Sequence, residues 1–354
     1  MSEVWNRFGP TAARASRQPG RTVRPSSITI DVHSHVAVPE AADFVKPHLE
    51  IKSMPLVRFA TPDTRALNQQ QDADRTSRMT QYDERLADLE AMGVDLQVVK
   101  PLPPQCYYTL PIEIADKASR MVNDGLAEYV SRYPDRFVAF GTAPLQDAMA
   151  AVTELERCVK KLGFKGVQIL TNVAGRELSD PAFAPFWAKA EQLGVLVVIH
   201  PNGFTQADRL ERYYFNNVIG NPLDTSIALH YLIFDGVLER HPNLSILAVH
   251  GGGYLAAYSG RIDHAWGARS DCRGTLPKPP TSYLKKVYFD AVVSTPHQLK
   301  YLVRVFGADK ILMGTDYPYD MAESDPLAHL VSAELDSASI AAIAGGNVQR
   351  LLKL

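Results

Sequence analysis

The sequence has few cysteines, little net charge and no long apolar run. Its 354 residues include three cysteines, an odd number that argues against a disulfide framework and favours a reducing, cytoplasmic location. A formal net charge of −2 excludes the basic surface typical of nucleic-acid-binding proteins and gives no attraction to anionic membranes. No apolar run approaches the roughly 18–20 residues that a membrane-spanning helix needs. What remains is a globular chain, long enough for one large α/β barrel or two smaller domains.

The N-terminal residues 1–26 differ from the rest in composition. Five arginines lie there among Ser, Pro, Gly and Ala, namely Arg7, Arg14, Arg17, Arg21 and Arg24. No apolar segment follows them, so a secretory signal is not expected. We predict a flexible arm, or one that wraps a neighbouring subunit, over residues 1–26 and a single catalytic domain over residues 27–354.

Within residues 27–354, apolar runs of strand length alternate with segments of helical spacing. The predicted strands lie near residues 28–35, 95–101, 136–142, 165–171, 195–201, 245–250, 287–290 and 310–316. Such alternation indicates a parallel sheet, and eight units indicate closure into a (β/α)8 TIM-type barrel. An open doubly wound sheet is the alternative. The first βα connection is predicted to be an extended, irregular loop over residues 36–78, rich in Pro, Asp, Gln and Arg.

Several predicted strands end in side chains that bind metals. His33 and His35 are two residues apart and project from one face of the first strand, while His200 and Asp316 end the fifth and eighth. All strand C-termini converge in a barrel, so these residues are expected to meet. Three imidazoles and one carboxylate suit Zn²⁺, with Mn²⁺ possible. Binuclear hydrolases of this type often carry a bridging lysine at the end of strand four, where this chain has residues 168–171 without a lysine. We therefore predict one metal ion per chain.

His250 ends the sixth predicted strand and precedes three glycines. Beside a metal-bound water, a histidine can shuttle a proton, so His250 is predicted to be the acid/base residue, with Asp316 also counted as catalytic. A fifth ligand and a core histidine are the alternatives. Gly251 to Gly253 match a dinucleotide fingerprint or a lipase oxyanion loop, but neither the βαβ context nor a nucleophile elbow is present. The glycines are expected to let the backbone approach a metal or substrate closely.

Substrate-binding candidates are fewer and less specific. Arginine holds carboxylates with two parallel hydrogen bonds. Arg261 follows His250 on a predicted helix, Arg58 and Arg65 lie in the long first loop together with Arg75, and Tyr107 follows the second strand. We predict Arg261, Arg58, Arg65 and Tyr107 as substrate-binding residues, although solvated arginines and a packed tyrosine are the ordinary alternatives.

Five segments together resemble one enzyme family. They are residues 31–35 (Asp-Val-His-Ser-His), residues 157–168 (Arg-Cys-Val-Lys-Lys-Leu-Gly-Phe-Lys-Gly-Val-Gln), residues 250–253 (His-Gly-Gly-Gly), residues 260–262 (Gly-Arg-Ile) and residues 314–318 (Gly-Thr-Asp-Tyr-Pro). The chain resembles, over about residues 28–320, the aminocarboxymuconate-semialdehyde decarboxylase family of the amidohydrolase superfamily. The resemblance implies a (β/α)8 barrel with one Zn²⁺ on the residues matching His33, His35, His200 and Asp316. It further implies that His250 is the acid/base and that Arg261 reaches the substrate of the partner subunit in a homodimer.

Two departures from that family affect the substrate pocket. The family has an aromatic residue two places after the strand-five histidine, where this chain has Asn202 followed by Gly203. The family's first-loop arginine has no clear counterpart in residues 50–80. We predict a metal-dependent non-oxidative decarboxylase of an unsaturated or aromatic carboxylic acid, without nucleic-acid or membrane partners. A metal-dependent hydrolase of a C–C, lactone or amide bond is the alternative, and the intact histidine and aspartate set argues against an inactive scaffold.

Overall fold

The structure is a computed structural model that describes residues 24–354. Residues 1–23 of the predicted arm lie outside the described residues, so the arm stays a prediction. Arg24 donates to a carboxylate oxygen of Asp95 at 2.7 Å and to the carbonyl of Gly93 at 3.3 Å. None of the helices in the described part of the chain combines the length and apolar character that a membrane crossing requires.

Within residues 24–354, eight parallel strands surround the core, and a short antiparallel hairpin (β5 and β6) lies outside it. The strands are β1 (Ile30–Val36), β2 (Leu96–Pro101), β3 (Phe137–Ala139), β4 (Gly166–Leu170), β5 (Asn172–Val173), β6 (Arg176–Glu177), β7 (Leu196–His200), β8 (Ser245–Ala248), β9 (Tyr288–Asp290) and β10 (Ile311–Leu312). The pairing runs β1-β2-β3 in one sheet and β10-β9-β8-β7-β4 in the other.

Backbone hydrogen bonds close the two seams between these sheets. Between β3 and β4, the amide of Gly141 donates to Gly166 at 3.1 Å and the amide of Gln168 donates to Gly141 at 2.8 Å. Between β10 and β1, Val32 donates to Met313 at 2.9 Å and Asp316 donates to His33 at 2.7 Å. The eight strands therefore form a closed barrel, which confirms the predicted (β/α)8 fold over the open sheet.

Helices cover the outside of the barrel. They are α1 (Pro39–Val45), α2 (Pro55–Arg58), α3 (Pro62–Asp74), α4 (Thr76–Thr80), α5 (Asp83–Met92), α6 (Ile112–Ser131), α7 (Ala148–Lys160), α8 (Ala184–Leu193), α9 (Asn221–Phe234), α10 (Val237–Arg240), α11 (Ser259–Ala268), α12 (Ser270–Arg273), α13 (Thr281–Leu284), α14 (Pro296–Phe306), α15 (Pro326–Ser332), α16 (Ser337–Ala341) and α17 (Asn347–Leu352). Short 3₁₀ or π turns connect several of them.

The first βα connection is long, as predicted, but the prediction that it is irregular is wrong. It contains α1 to α4, and three of these helices begin with a proline. Proline is favoured at the first helical position because its missing N–H would have no partner there. At α3, the Thr61 hydroxyl also caps the helix by accepting from the amide of Thr64 at 3.2 Å. The prolines that indicated a loop in the sequence are therefore the first residues of helices.

Side-chain alternation on β2 leads from the barrel core to the site. Leu96 and Val98 belong to the apolar cluster inside the barrel, whereas Val99 belongs to the layer between strands and helices. Because successive strand residues point to opposite faces, Lys100 continues the inward-facing row above Val98. Lys100 is fully buried. The upper layer of the barrel interior is therefore polar.

Candidate metal centre and active site

The strand-end residues reach one point at the C-terminal mouth of the barrel. His33 and His35 lie on β1, His200 is the last residue of β7, and His250 and Asp316 follow β8 and β10. The backbone φ angles of His250 and Asp316 are 54° and 64°, in the left-handed region that non-glycine residues rarely adopt. Backbone strain of this kind concentrates at functional sites, where surrounding contacts hold it in place.

The donor atoms converge on the Asp316 carboxylate. Its Oδ1 lies 3.1 Å from His33 Nε2 and 3.2 Å from His35 Nε2, and its Oδ2 lies 3.4 Å from His250 Nε2. The donor atoms of His33, His200, His250 and Asp316 all lie within 4.8 Å of one another. His35 stands beside this group, with its ring centroid 5.0 Å from that of His200. The structure thus brings together all five residues predicted from the strand ends.

Outer hydrogen bonds orient three of the imidazoles. His33 Nδ1 lies 2.6 Å from Asp290 Oδ2, His35 Nδ1 lies 2.9 Å from the Pro101 carbonyl and His200 Nδ1 lies 2.6 Å from the Pro201 carbonyl. These partners only accept, so each Nδ1 carries the proton and each Nε2 is left with a lone pair toward the centre. Lone pairs facing a carboxylate are repulsive unless a cation or proton lies between them. Nε2 of His200 is buried without a hydrogen-bond partner among residues 24–354.

The pKa shifts follow from burial and from this mutual arrangement. Burial lowers the pKa of His35 to about 4 and that of His200 well below its ordinary value. Burial opposes ionisation of Asp316, but the charge of His33 and hydrogen bonds from His250 and His33 hold the pKa of Asp316 well below its usual range. For His33, burial is outweighed by Asp316 and Asp290, which raise its pKa. Metal binding at this centre would therefore compete with a proton on His33.

Asp290 is a site residue that the sequence reasoning missed. It is fully buried at the end of β9 and accepts from the amide of Gly251 at 2.9 Å as well as from His33. Burial alone would raise the pKa of Asp290, but the His33 hydrogen bond lowers it. Asp290 ends a predicted strand, as His200 and His250 do. That position alone could have indicated from the sequence that Asp290 belongs to the site.

The glycines after His250 lie against other parts of the protein. A Cβ at Gly251 would collide with Val293, and one at Gly253 would collide with the carbonyl of Pro222. Both glycines also have positive φ angles, 61° and 65°. Glycine is therefore needed here for contacts within the protein, and the expectation that the backbone also approaches a metal or substrate stays a prediction.

Asp31 joins three strands beneath the metal centre. Its carboxylate accepts from the amide of His33 at 2.9 Å, from the side-chain amide of Gln97 at 2.8 Å and from the hydroxyl of Thr315 at 2.6 Å. The buried guanidinium of Arg85 extends the network by donating to Gln97 Oε1 at 2.7 Å and to the carbonyl of His35. Hydrogen-bond networks in a low-dielectric interior restrict the positions of their members, so β1, β2 and β10 are held in register here.

Lys100 was also missed by the sequence reasoning. Its register partner across the β1–β2 pair is His35, and its buried Nζ has no hydrogen-bond partner within the described part of the chain. Burial lowers the pKa of Lys100 to about 8, while Asp290 and Asp316 act in the opposite direction. A strand-two lysine has no place in the expected ligand pattern, and only the inward alternation of β2 indicates its position.

A cavity of about 700 Å³ opens above the metal centre. His200, His250 and Asp316 line it, whereas His33 and His35 lie beneath it. Arg75 stands in its wall, with the guanidinium 4.9 Å from the centre of the Tyr319 ring and one nitrogen 2.6 Å from Asp72 Oδ1. The volume is within the usual range for small-molecule sites.

The four predicted substrate residues do not line this cavity. Arg58 and Tyr107 line a second cavity of about 320 Å³. Arg65 is exposed and donates to the carbonyl of Ala60 at 2.6 Å. Arg261 is an exposed residue of α11 and lines neither cavity. Among the arginines of residues 24–354, Arg75 is therefore the one that lines the metal chamber.

A closed parallel barrel with histidines and an aspartate at its strand ends defines a metal-dependent (β/α)8-barrel enzyme. Three orienting hydrogen bonds and a buried, unpartnered imidazole nitrogen fit a divalent cation at this centre. The chain belongs to the amidohydrolase family, which it matches over residues 30–354.

Known relatives are decarboxylases by name. The chain is 36% identical over 275 residues to the 2-amino-3-carboxymuconate-6-semialdehyde decarboxylase of Dictyostelium discoideum, covering 77% of this chain and 76% of the relative. It is 30% identical over 298 residues to the gamma-resorcylate decarboxylase of Rhizobium radiobacter, covering 77% and 87%.

Two solved structures have the same fold. The 5-carboxyvanillate decarboxylase of Sphingomonas paucimobilis has a TM-score of 0.82 at 25% identity, covering 93% of this chain and 100% of that one. The dihydroxybenzoic acid decarboxylase of Polaromonas sp. JS666, with bound manganese and the inhibitor 2-nitroresorcinol, has a TM-score of 0.75 at 25% identity, covering 93% and 97%. The predicted class, a decarboxylase of the amidohydrolase superfamily, is confirmed.

Proposed function

We propose that the protein removes CO₂ from an aromatic or unsaturated carboxylic acid with the help of one divalent metal ion per chain. The observation that carries this proposal is the chamber in which His200, His250 and Asp316 share one wall above the buried His33 and His35. The relatives' names support a small carboxylic acid as the substrate.

His33, His35, His200 and Asp316 would hold the metal, which supplies Lewis-acid polarisation of substrate oxygens when bound. Three imidazoles and one carboxylate support Zn²⁺. Manganese in the Polaromonas sp. JS666 relative supports Mn²⁺ as the alternative. A single ion is favoured because residues 168–171, at the end of β4 where binuclear hydrolases often carry a bridging lysine, include no lysine. Gln168 on this strand instead donates to the Pro101 carbonyl at 2.9 Å.

His250 would deliver the proton that replaces CO₂. Its Nε2 is 3.4 Å from Asp316 Oδ2, and its ring lies at the chamber wall while His33 and His35 are fully buried. In the proposed step, the bond from the substrate carbon to its carboxylate breaks, CO₂ leaves and the electron pair stays on carbon. That carbon then takes a proton from the His250 ring. Asp316 contributes by orienting the His250 ring.

Arg75 would hold a spectator carboxylate or a phenolate of the substrate. It lies in the chamber wall and is half-buried, with its position fixed by Asp72 and the Tyr319 ring. Asp72 accepts from Nε and Nη2 of Arg75. Nη1 has no hydrogen bond within residues 24–354 and lies 3.6 Å from Asp320 Oδ1, so Nη1 is the group that would donate to a substrate anion. Arg75 would therefore bind the substrate anion in the chamber of its own chain, the role that the sequence predicted for Arg58 and Arg65.

Arg261 would act from a neighbouring subunit, which makes the functional unit a homodimer. Its side chain is exposed and lines neither cavity of its own chain, and two exposed tyrosines precede it in the sequence. Tyr258 is 71% exposed and Tyr254 is 42% exposed. Exposed aromatic side chains are enriched at protein interfaces. A cytoplasmic location agrees with the three cysteines, all of which are free thiols.

Incubation of the metal-loaded protein with hydroxybenzoates and unsaturated diacids, followed by mass spectrometry of released CO₂, tests the proposed reaction. We expect CO₂ in stoichiometric yield with the decarboxylated product from at least one acid, and none after chelation of the metal. Hydrolysis of matched lactones or amides without any CO₂ release would instead establish the hydrolase.

The dimer is tested with two inactive variants. An equal mixture of His250→Ala and Arg261→Ala subunits should regain up to about a quarter of the activity. Random exchange makes about half of the dimers hybrids, and one of the two sites in each hybrid has both functional groups. Arg273→Ala, on the adjacent α12, is the control and should keep activity when unmixed. If the subunits are shown to exchange and no activity returns, Arg261 does not act on the active site of the partner subunit.

A further inference from the structure

The second cavity lies beside the metal chamber at the same mouth of the barrel. Its volume is about 320 Å³, and its walls come from the loops after β2, β4 and β7 together with the first βα connection. Tyr107 and Tyr108 form one side, Thr171 and Asn172 another. Nothing in the proposed decarboxylation uses this space.

The two cavities share part of their walls. Met54, Pro104 and Asn202 line both of them. Next to Asn202, Gly203 has a φ of 81°, and a Cβ there would lie 2.9 Å from the backbone nitrogen of Leu56. The first connection therefore packs directly on the loop after β7, and Met54, Pro104 and Asn202 form the wall that the two cavities share. We call the second cavity the side compartment of the metal chamber.

Charge distinguishes the side compartment from the chamber. Of the described residues that line it, Arg58 alone carries a charge. Arg58 is exposed, and its guanidinium lies 4.8 Å from the centre of the Phe59 ring. The guanidinium forms no ion pair or hydrogen bond with another residue of the described range. Arg75 in the chamber, by contrast, is already paired with Asp72. A guanidinium that stacks on an aromatic ring and has no carboxylate partner is suited to an incoming anion.

The remaining lining is largely apolar and aromatic. Leu49, Phe59, Tyr107, Tyr108 and Leu170 contribute to it. Such a surface is suited to an uncharged, apolar part of a ligand, whereas Arg58 is suited to a negatively charged group at the end of that part. Concave sites of this kind combine apolar walls with a few polar groups that fix orientation.

We propose that the side compartment binds an arm of the substrate that is apolar along its length and ends in a carboxylate, which pairs with Arg58. This rests on the proposed function, since the other end of the same molecule carries the carboxylate that is lost at the metal. The substrate class is thus an acid with a second, distal carboxylate, longer than a single-ring hydroxybenzoate.

Calorimetry of the Mn²⁺-loaded protein with benzoates tests the side compartment. The benzoates carry a 3- or 4-substituent of zero to four methylenes that ends in either carboxylate or methyl. We expect one arm length at which the carboxylate-ended compound binds about threefold to tenfold more tightly than its methyl-ended partner, the range for a partly exposed charge pair. Arg58→Gln should remove that difference and Arg58→Lys should restore part of it.

Lys52→Gln is the matched control, because Lys52 is exposed in the same connection, has the same charge and lines neither cavity. It should keep the full difference. Equal affinity of both compound series, or an unchanged difference in Arg58→Gln, would overturn the proposal. CO₂ release from an acid without the arm is measured on the same proteins. It separates failure of the side-compartment proposal from failure of the proposed decarboxylase activity. Its presence without any arm effect rejects only the side compartment, whereas an arm effect without CO₂ from any acid rejects the decarboxylase.

Discussion

The floor and the rim of the catalytic chamber are built in different ways. On the floor, His33, His35 and Asp290 are fully buried on barrel strands, and each has a hydrogen-bond partner within 3.2 Å. The exposed connections around the chamber, which we call the rim, carry Arg58 and Arg261 on helices outside the barrel, and neither residue lines the chamber itself. The floor is therefore suited to a cation, whereas the rim carries the charges that we propose bind the substrate or act across a subunit interface.

The largest effect is expected when one of the proposed metal ligands on the floor is removed. His200→Ala should lose both metal and turnover, and the loss should exceed the roughly 100-fold that marks the upper end for supporting residues. Metal content by mass spectrometry and CO₂ release measure it. His264→Ala, an exposed histidine on α11, is the control. Retention of a full metal complement in His200→Ala would remove His200 from the ligand set.

His250 separates chemistry from metal binding. His250→Ala should keep its metal and lower kcat by about 10²–10⁴-fold, because it removes the proton donor and leaves the buried ligands in place. The measurement pairs metal content with single-turnover CO₂ release. If the variant also loses its metal, His250 is a ligand, as its place among donor atoms within 4.8 Å allows.

Asp290 tests the support beneath the floor. An asparagine there can offer its NH₂ group to His33, which would favour the tautomer with the proton on Nε2 and so block the metal-facing lone pair. We expect Asp290→Asn to weaken metal affinity or activity by about 10–100-fold, measured by competition with a chelator. Asp309→Asn, an exposed change next to β10, should have no effect. Equal affinities in the two variants would show that Asp290 has only a packing role.

The smallest effect is expected at the rim. Arg75→Gln should raise KM about tenfold with a smaller change in kcat, because it removes one charge-assisted carboxylate contact. Arg65→Gln is the matched control on α3, since Arg65 lines neither cavity. If KM rises more in Arg65→Gln than in Arg75→Gln, Arg65 is the substrate-binding arginine, as the sequence predicted.

This contrast explains which features could be predicted from the sequence. Strand ends converge in any barrel, so the positions of His33, His200 and Asp316 followed from strand assignment alone. Asp290 and Lys100 obey the same geometry. They were missed because neither fits a ligand motif, although both lie on predicted strands.

The rim could not be predicted in the same way. Whether Arg58, Arg65 or Arg75 faces the chamber depends on how the first connection packs, and its proline-initiated helices were read as loop. The glycines after His250 show the same limit. Their sequence indicates a close approach of the backbone, but only the fold shows that Val293 and Pro222 are what approach.

Metal titration tests the central claim most directly. The protein is stripped with a chelator, Zn²⁺ or Mn²⁺ is added back in steps, and bound metal and CO₂ release are followed together. We expect bound metal and CO₂ release to rise in parallel and to level off at one equivalent of metal per chain. A break at two equivalents, or full CO₂ release from the stripped protein, would contradict it.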